Sequence, residues 1–247
     1  MAGSVQTGFM TGVTVEQKGF TLLEILVAIF IFAIVMTTIY ASFTAVVSKN
    51  EAVEQGRGLY EMGRNCLERM TEDFAAIYVE RPPQYEPPDY DDRPDPYRFV
   101  AEEEVVASET FSRVRFAADA HLPMGEEKED GLAEIVYYVE QSGQSEPGFV
   151  LRRSDRVFAY DAEEFRQAKA SDPVVCRNVQ EFSLVFLDGD GEETSGWDSE
   201  ADRGQYATPR TVKIALTLAK ENAAHAFQTA VSLPVYRKEI ESGRQGP

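Results

Sequence analysis

Residues 19–48 read GFTLLEILVAIFIFAIVMTTIYASFTAVVS, an apolar run with one charged side chain, Glu24. From Ile25 to Ser48 the only ionisable residue is Tyr40. About 20 apolar residues cross a bilayer as an α-helix, so the run is long enough to span a membrane. A carboxylate within such a helix costs roughly 2.5–3.5 kcal/mol on insertion scales, which makes Glu24 a candidate functional residue.

Two ordinary segments could account for this run, a secretory signal peptide or a simple membrane anchor. A signal peptide has an apolar region of about 7–15 residues and then small residues around its cleavage site. Here the run is longer, and the pairs Ile39/Ala41 and Phe43/Ala45 begin with a large residue. A simple anchor keeps its charges outside the apolar core. Both alternatives stay open, but neither explains Glu24.

Residues 18–24, KGFTLLE, resemble the processing site of type IV prepilins. The resemblance implies that a prepilin peptidase cuts after Gly19 on the cytoplasmic side and methylates the new amine of Phe20. A helical rise of 1.5 Å per residue places Glu24 about 6 Å past the Phe20 nitrogen. An intramembrane carboxylate needs a cationic or hydrogen-bonding partner, and the Phe20 amine of the same or a neighbouring subunit is the nearest candidate.

The residues after the membrane run divide by pattern into a helical part, a loop and a β-rich part. Apolar residues at three- and four-residue steps predict an amphipathic helix whose buried face is Leu59, Met62, Cys66, Met70, Phe74 and Ile77. Residues 81–97 hold six of the twelve prolines, which excludes a continued helix there. A period of two then predicts strands at Phe99–Ala107, Phe111–Ala117, Ala133–Glu140, Phe149–Arg153, Val179–Leu187, Thr211–Leu218 and Phe227–Val235.

These patterns predict an α+β protein with one head domain of about 200 residues beyond the membrane. We expect the following divisions: a removed leader (1–19), a transmembrane helix (20–47), its amphipathic continuation (48–80), a proline-rich loop (81–98), a β-rich head (99–236) and a polar C-terminal tail (237–247). The formal net charge of −18 argues against binding to nucleic-acid phosphates and favours protein partners or divalent cations.

The head carries a second resemblance. Residues 132–139, LAEIVYYV, and 149–153, FVLRR, resemble the hairpin of J-type minor pseudopilins of type II secretion. VQEF at 179–182, FLDG at 186–189, Trp197 and PRTVKIAL at 209–216 follow in the order found in that family. The likeness spans most of residues 20–235 and implies a pilin-like fold, a long N-terminal helix packed on an antiparallel sheet.

The resemblance also implies partners and a location. The partners are the I-type and K-type minor pseudopilins, the major pseudopilin, the prepilin peptidase and the inner-membrane assembly platform. The chain is expected to cross the inner membrane once, with a cytoplasmic N-terminus and a periplasmic head, and later to stand at the pseudopilus tip. The alternatives are a minor pilin of a type IV pilus or competence system and, from another class, a membrane-anchored periplasmic binding or sensor domain.

The sequence offers weak candidates for other chemistry. Asp188, Asp190 and Glu192 suggest a cation site, but Glu193 and Ser199 occupy the places where an EF-hand needs Gly and Glu, so a hairpin tip is favoured. Cys66 and Cys176 are the only cysteines and could form a disulfide in an oxidising compartment, but the position of Cys66 on the apolar face favours a buried free thiol.

The sequence predicts neither an enzyme nor a cofactor-binding protein. His121 and His225 are the only histidines, and no nucleophile elbow, zinc-protease, phosphate-loop or C-x-x-C motif occurs.

Overall fold

The computed structural model describes residues 19–88, 95–122, 131–143, 148–157, 172–201, 206–221 and 223–240, with the backbone alone for residues 45–55. These residues form one long helix and eleven strands. The chain divides into two compact units, Met1–Glu51 and Ala52–Pro247. The second unit contains all the strands.

Helix α1 spans Leu22–Ala75, 54 residues, and contributes to both units. Its N-terminal part, Leu22–Thr44, has a mean hydropathy of 2.7 and no buried residue, which confirms the apolar helix predicted from the sequence. The helix ends at Ala75, five residues before the predicted end at Glu80. The difference arises because β1, Ile77–Tyr78, pairs with β3, Glu109–Ala118, instead, and bulky β-branched and aromatic residues favour a strand there.

The larger sheet is antiparallel, in the order β6-β5-β4-β3-β2-β9, with β1 also alongside β3. Its strands are β2 (Val100–Val106), β3 (Glu109–Ala118), β4 (Ala133–Gln141), β5 (Phe149–Val157), β6 (Val174–Arg177) and β9 (Trp197–Asp198). The smaller antiparallel sheet has the order β11-β10-β7-β8. Its strands are β7 (Val179–Leu187), β8 (Glu193–Thr194), β10 (Thr211–Lys220) and β11 (Ala223–Ser232). The pilin-like α+β fold predicted from the sequence is thereby confirmed.

Two predicted strands differ from those observed by more than two residues at an end. The strand predicted at Phe149–Arg153 continues to Val157 because it pairs with β4 as far as the Ala133↔Val157 register pair. The strand predicted at Phe227–Val235 is Ala223–Ser232, because β10 pairs with all ten of these residues. In both cases the partner strand fixes the ends, and the local apolar pattern does not.

The core lies between α1 and the two sheets. The Phe74 ring of α1 stacks on Phe116 of β3 with ring centroids 4.7 Å apart, and Phe99 meets Phe186 of β7 edge to face at 5.5 Å. The buried hydroxyl of Ser112 accepts a hydrogen bond from the Leu184 N–H at 2.9 Å, which joins the sheets directly. The predicted buried face of the helix is confirmed, with Met62 only partly buried and Ile77 lying in β1.

Arg237, assigned from the sequence to a polar tail, is instead buried, with only 2% of its surface exposed. Its guanidinium lies 3.4 Å from the centroid of the Tyr85 ring. It donates to the Ser199 carbonyl at 2.7 Å and to the Glu200 carboxylate at 3.1 Å. In all, five oxygen acceptors and an aromatic face compensate the burial of the guanidinium. Arg237 therefore ties the proline-rich loop to the segment around Ser199 and Glu200.

Candidate assembly site

The predicted processing site lies just before α1. Gly19 and Phe20 precede the helix, and the Phe20 side chain is 81% exposed. Among the described residues, apart from the neighbours of Gly19 in the chain, no atom lies within 4 Å of the position that a Cβ on Gly19 would occupy. The peptide bond between Gly19 and Phe20 is therefore open to approach on this side. Lys18 lies outside the described residues.

Thr21 caps the first turn of α1. The Glu24 N–H donates to the Thr21 hydroxyl at 3.3 Å and to the Thr21 carbonyl at 3.1 Å. Thr-x-x-Glu is the pattern of a capping box, so the role of Thr21 could have been predicted from the sequence but was missed. Glu24 is the acidic residue of this first turn, where the helix dipole favours negative charge.

Three threonine hydroxyls of the apolar helix are satisfied within the helix. The hydroxyls of Thr37, Thr38 and Thr44 donate to the carbonyls of Ala33, Val35 and Tyr40, at 2.7, 2.8 and 3.1 Å. Backbone-bonded hydroxyls of this kind are compatible with a lipid environment, where unpaired polar groups are costly. Glu24 is therefore the charged group of this helix that would need a partner inside a membrane.

A concavity of about 400 Å³ lies on the helix surface beside that carboxylate. It is lined by Phe20, Glu24, Ile25, Ala28, Ile29 and Phe32. The helical spacing of these residues places them on one face, which combines apolar side chains with a single negative charge. This face suits contact with an apolar helix that also presents a cation.

In the second unit, α1 has a charged outer face opposite its buried one. Arg57 Nε donates to Glu61 Oε1 at 2.9 Å, with both side chains largely exposed. This contact raises the pKa of Arg57. Arg64 is exposed as well and has no ion-pair partner among the described residues. The outer face is thus a polar surface on which Arg64 is available for an acidic partner.

The last turn of α1 is fixed to the larger sheet by Asp73, which is fully buried. Its carboxylate accepts hydrogen bonds from Arg153 Nε at 2.6 Å and from the Tyr137 hydroxyl at 2.5 Å, and it also pairs with Arg69. Burial and the neighbouring Asp73 raise the pKa of Tyr137 well above its ordinary value. Asp73 was not predicted as a site residue, although a carboxylate three residues after Met70 on the predicted buried face is a signal visible in the sequence.

Asp155 completes this cluster on β5. Its Oδ2 accepts from Arg153 Nη1 at 2.5 Å, and its Oδ1 lies 2.7 Å from His121 Nδ1. Burial alone would raise the pKa of Asp155, but the hydrogen bonds from Arg153, His121 and the Leu122 N–H together lower it. His121 is therefore engaged in an ion-pair cluster.

The acidic residues that suggested a cation site form a turn. Asp188 Oδ1 accepts from the N–H groups of Asp190 and Glu192, both at 2.9 Å. In the described part of the chain, no three His, Cys, Asp or Glu side chains are placed to hold a metal ion. His225 packs edge to face on Tyr60 with ring centroids 5.8 Å apart. The structure also brings Cys66 and Cys176 together in the core, both buried.

A helix that begins directly after Gly19-Phe20, carries its carboxylate in the first turn and extends into an antiparallel sheet domain defines a prepilin-like protein. The protein-family model of the prokaryotic N-terminal methylation motif matches residues 16–40. The model of type II secretion system protein J matches residues 41–228. The chain belongs to the type II secretion system protein J family and is a minor pseudopilin of that system.

This assignment favours secretion over the pilus, competence and sensor alternatives. The family is structural, and its members assemble with other pseudopilins of the secretion system. The apolar helix and the methylation motif fit a single-pass anchor in the inner membrane. A comparison with curated proteins found no match.

Proposed function

We propose that the prepilin peptidase cuts this chain after Gly19 and methylates the Phe20 amine, and that Glu24 then pairs with such an amine during assembly. The support is local geometry. The Gly19-Phe20 bond is open, and Glu24 lies one helical turn beyond it on an exposed apolar face. Leader removal at Gly19 generates the amine that an intramembrane carboxylate requires.

The remaining assignments follow from the same proposal. Residues 20–47 hold the subunit in the inner membrane, with the N-terminus in the cytoplasm and the head in the periplasm. The head then joins the I-type and K-type minor pseudopilins at the pseudopilus tip, above the major pseudopilin and the assembly platform. The role is structural, without catalysis, and the tip complex supports export of proteins across the outer membrane.

Glu24 in the first turn of a wholly exposed apolar helix is the observation that carries this proposal. Changing Glu24→Gln removes the charge while keeping a polar side chain of the same length. Because membrane insertion only becomes easier, the variant should still be cut at Gly19. Its incorporation into pseudopili and the secretion of cargo should fall at least tenfold.

The measurements are intact-mass analysis of the mature N-terminus and a secretion assay in cells that lack the wild-type subunit. Glu24→Asp, which retains the charge, is the matched control and should secrete better than Glu24→Gln. A mature chain that begins at Met1, or within residues 38–48, contradicts the processing step. Normal secretion by Glu24→Gln contradicts the role of the carboxylate.

A further inference from the structure

Cys66 and Cys176 lie side by side in the core of the head. Cys66 is on the buried face of α1 and Cys176 is on β6, with 0% and 1% of their surfaces exposed. Both are present as thiols, and their side chains are hydrogen-bonded to each other. The cysteines are 110 positions apart in the sequence, so tertiary packing alone brings them together.

Neighbouring contacts hold the two thiols in this arrangement. One turn before Cys66, the Met62 sulfur accepts a hydrogen bond from the Arg177 N–H at 3.4 Å. On the other side, β6 pairs with β5 through the register pair Leu151↔Cys176. Successive turns of α1 therefore contact neighbouring residues of β6. The α1 contacts and the pairing with β5 together fix the position of Cys176 relative to Cys66.

We propose that Cys66 and Cys176 form a disulfide bond that fastens the edge strand β6 to helix α1 in the exported head. The inference rests on the periplasmic location of the head proposed above, because the periplasm is an oxidising compartment. The competing interpretation is that both residues remain buried thiols acting as small apolar side chains.

The oxidant is a protein disulfide of that compartment, and the reaction is thiol–disulfide exchange. The Cys66 thiolate attacks the oxidant's disulfide, forming a mixed disulfide and releasing one thiolate of the oxidant. The Cys176 thiolate then attacks the Cys66 sulfur and displaces the second thiolate. The chain loses two protons and two electrons, and the oxidant leaves as a dithiol.

The exchange takes place before the core closes. The hydrogen bond to Cys66 and burial both raise the pKa of the Cys176 thiol, so the folded state disfavours the reactive thiolate. The bond then closes a loop of roughly 110 residues, in the range where a cross-link restricts the unfolded chain strongly. It also secures β6, a strand of four residues at the sheet edge with β5 as its neighbour.

The cellular test counts free thiols in the full chain. Cells that express the chain with the prepilin peptidase are quenched in acid, and the protein is denatured and treated with a maleimide-polyethylene glycol reagent. The wild-type chain should take up no label before reduction and two labels after it. Cys66→Ser and Cys176→Ser are the controls, and each should take up one label in both conditions. Two labels on the unreduced wild type overturn the proposal.

A second test asks whether the two cysteines are placed to form the bond in the purified chain, independently of where the head lies in the cell. The purified full chain is reduced and unfolded, refolded in detergent in the presence of reduced and oxidised glutathione, and then melted. Reduction should lower Tm by about 10 °C, and the variant with Cys66→Ala and Cys176→Ala should not respond. If glutathione fails to close the bond, the proposed geometry is wrong. If the bond closes in detergent but is absent in cells, the periplasmic location of the head is wrong, and with it the proposed bond in the exported head.

Discussion

Asp73 is the residue on which the junction of helix and sheet depends most. It is fully buried, and two arginines, Arg69 and Arg153, and the Tyr137 hydroxyl all direct hydrogen-bond donors at its carboxylate. A buried ion pair adds little net stability when both partners are present, but removing one partner leaves the other charge uncompensated. The stability of the head should therefore be sensitive to this single carboxylate.

Asp73→Asn should lower the free energy of unfolding by about 3–5 kcal/mol, because Arg153 and Arg69 lose the fully buried carboxylate that they share and Arg153 keeps only Asp155. At about 2–4 °C per kcal/mol for a chain of this size, Tm should fall by roughly 10 °C. Thermal melting of the purified chain in detergent measures the effect.

The adjacent Glu72→Gln is the matched control. Glu72 is exposed and contacts Arg69 at 3.5 Å, so its neutralisation should change stability by less than about 0.5 kcal/mol. If both variants melt at the same temperature, the buried cluster does not fix the helix to the sheet.

The contact between α1 and β11 requires a glycine. A Cβ added at Gly63 would lie 2.5 Å from Phe227 Cζ and closer still to another ring carbon. The Tyr60 ring lies 5.6 Å from the Phe227 ring in the same layer. Glycine destabilises a helix interior by about 1 kcal/mol relative to alanine. At Gly63 the close packing of Phe227 from β11 on the helix offsets this cost.

Gly63→Ala should therefore lower Tm despite its better helix propensity, because the Phe227 ring must move. Gly58→Ala is the control: outside the helix backbone, no atom of the described residues lies within 4 Å of the added Cβ, so the substitution should stabilise the helix by up to about 1 kcal/mol. Thermal melting of both variants, alone and combined with Phe227→Leu, gives the coupling between helix and strand. If Gly63→Ala stabilises as much as Gly58→Ala, the two elements are not in close contact.

The elements could be predicted where apolar residues carry the pattern. Val212, Ile214, Leu216 and Leu218 alternate in the sequence and are all buried in β10, as predicted. The prediction for β5 ended too early, at Arg153, because Asp155 follows two residues later, and a second charged residue of opposite sign is not typical of a buried strand. The burial of Arg153 and Asp155 is explained by the ion pair that they form with each other, which the local pattern does not reveal.

The same limit applies to the candidate sites. Gly19, Phe20 and Glu24 are close in sequence, so the spacing of a helix was enough to relate them. Asp73 and Arg153 are 80 positions apart, and Cys66 and Cys176 are still further apart. Contacts over such distances depend on strand order, which local patterns do not determine.

The molecule as a whole is strongly acidic, with a net charge of −18, so partner subunits that bring further negative charge are repelled unless cations lie at the contact. Arg64, exposed on the outer face of α1, is such a cation. A stable contact buries at least about 1,000 Å² in total, and the outer face of α1 with the strand edges beside it is the surface that we propose.

Arg64→Glu should weaken the complex with the I-type and K-type subunits at least tenfold, because it places a negative charge at the proposed contact. Co-purification of the three full-length subunits in detergent, followed by gel filtration, measures the loss. Lys238→Glu is the control with the same change of charge at an exposed position outside the helix. Equal effects of the two variants, or binding to a pilus subunit in place of these partners, would contradict the proposed interface.

The position of Arg237 in the sequence has a consequence for the order of events during synthesis. The residue follows every strand described, yet its side chain holds segments made much earlier, at Glu80, Asp95 and Ser199. A nascent chain emerges N-terminus first. The carbonyl and carboxylate acceptors in these segments therefore lack their Arg237 donor until the last strand has been translated. In the proposed topology the head therefore cannot complete its fold until Arg237 has also reached the periplasm, and its early part stays open to chaperones and proteases until then.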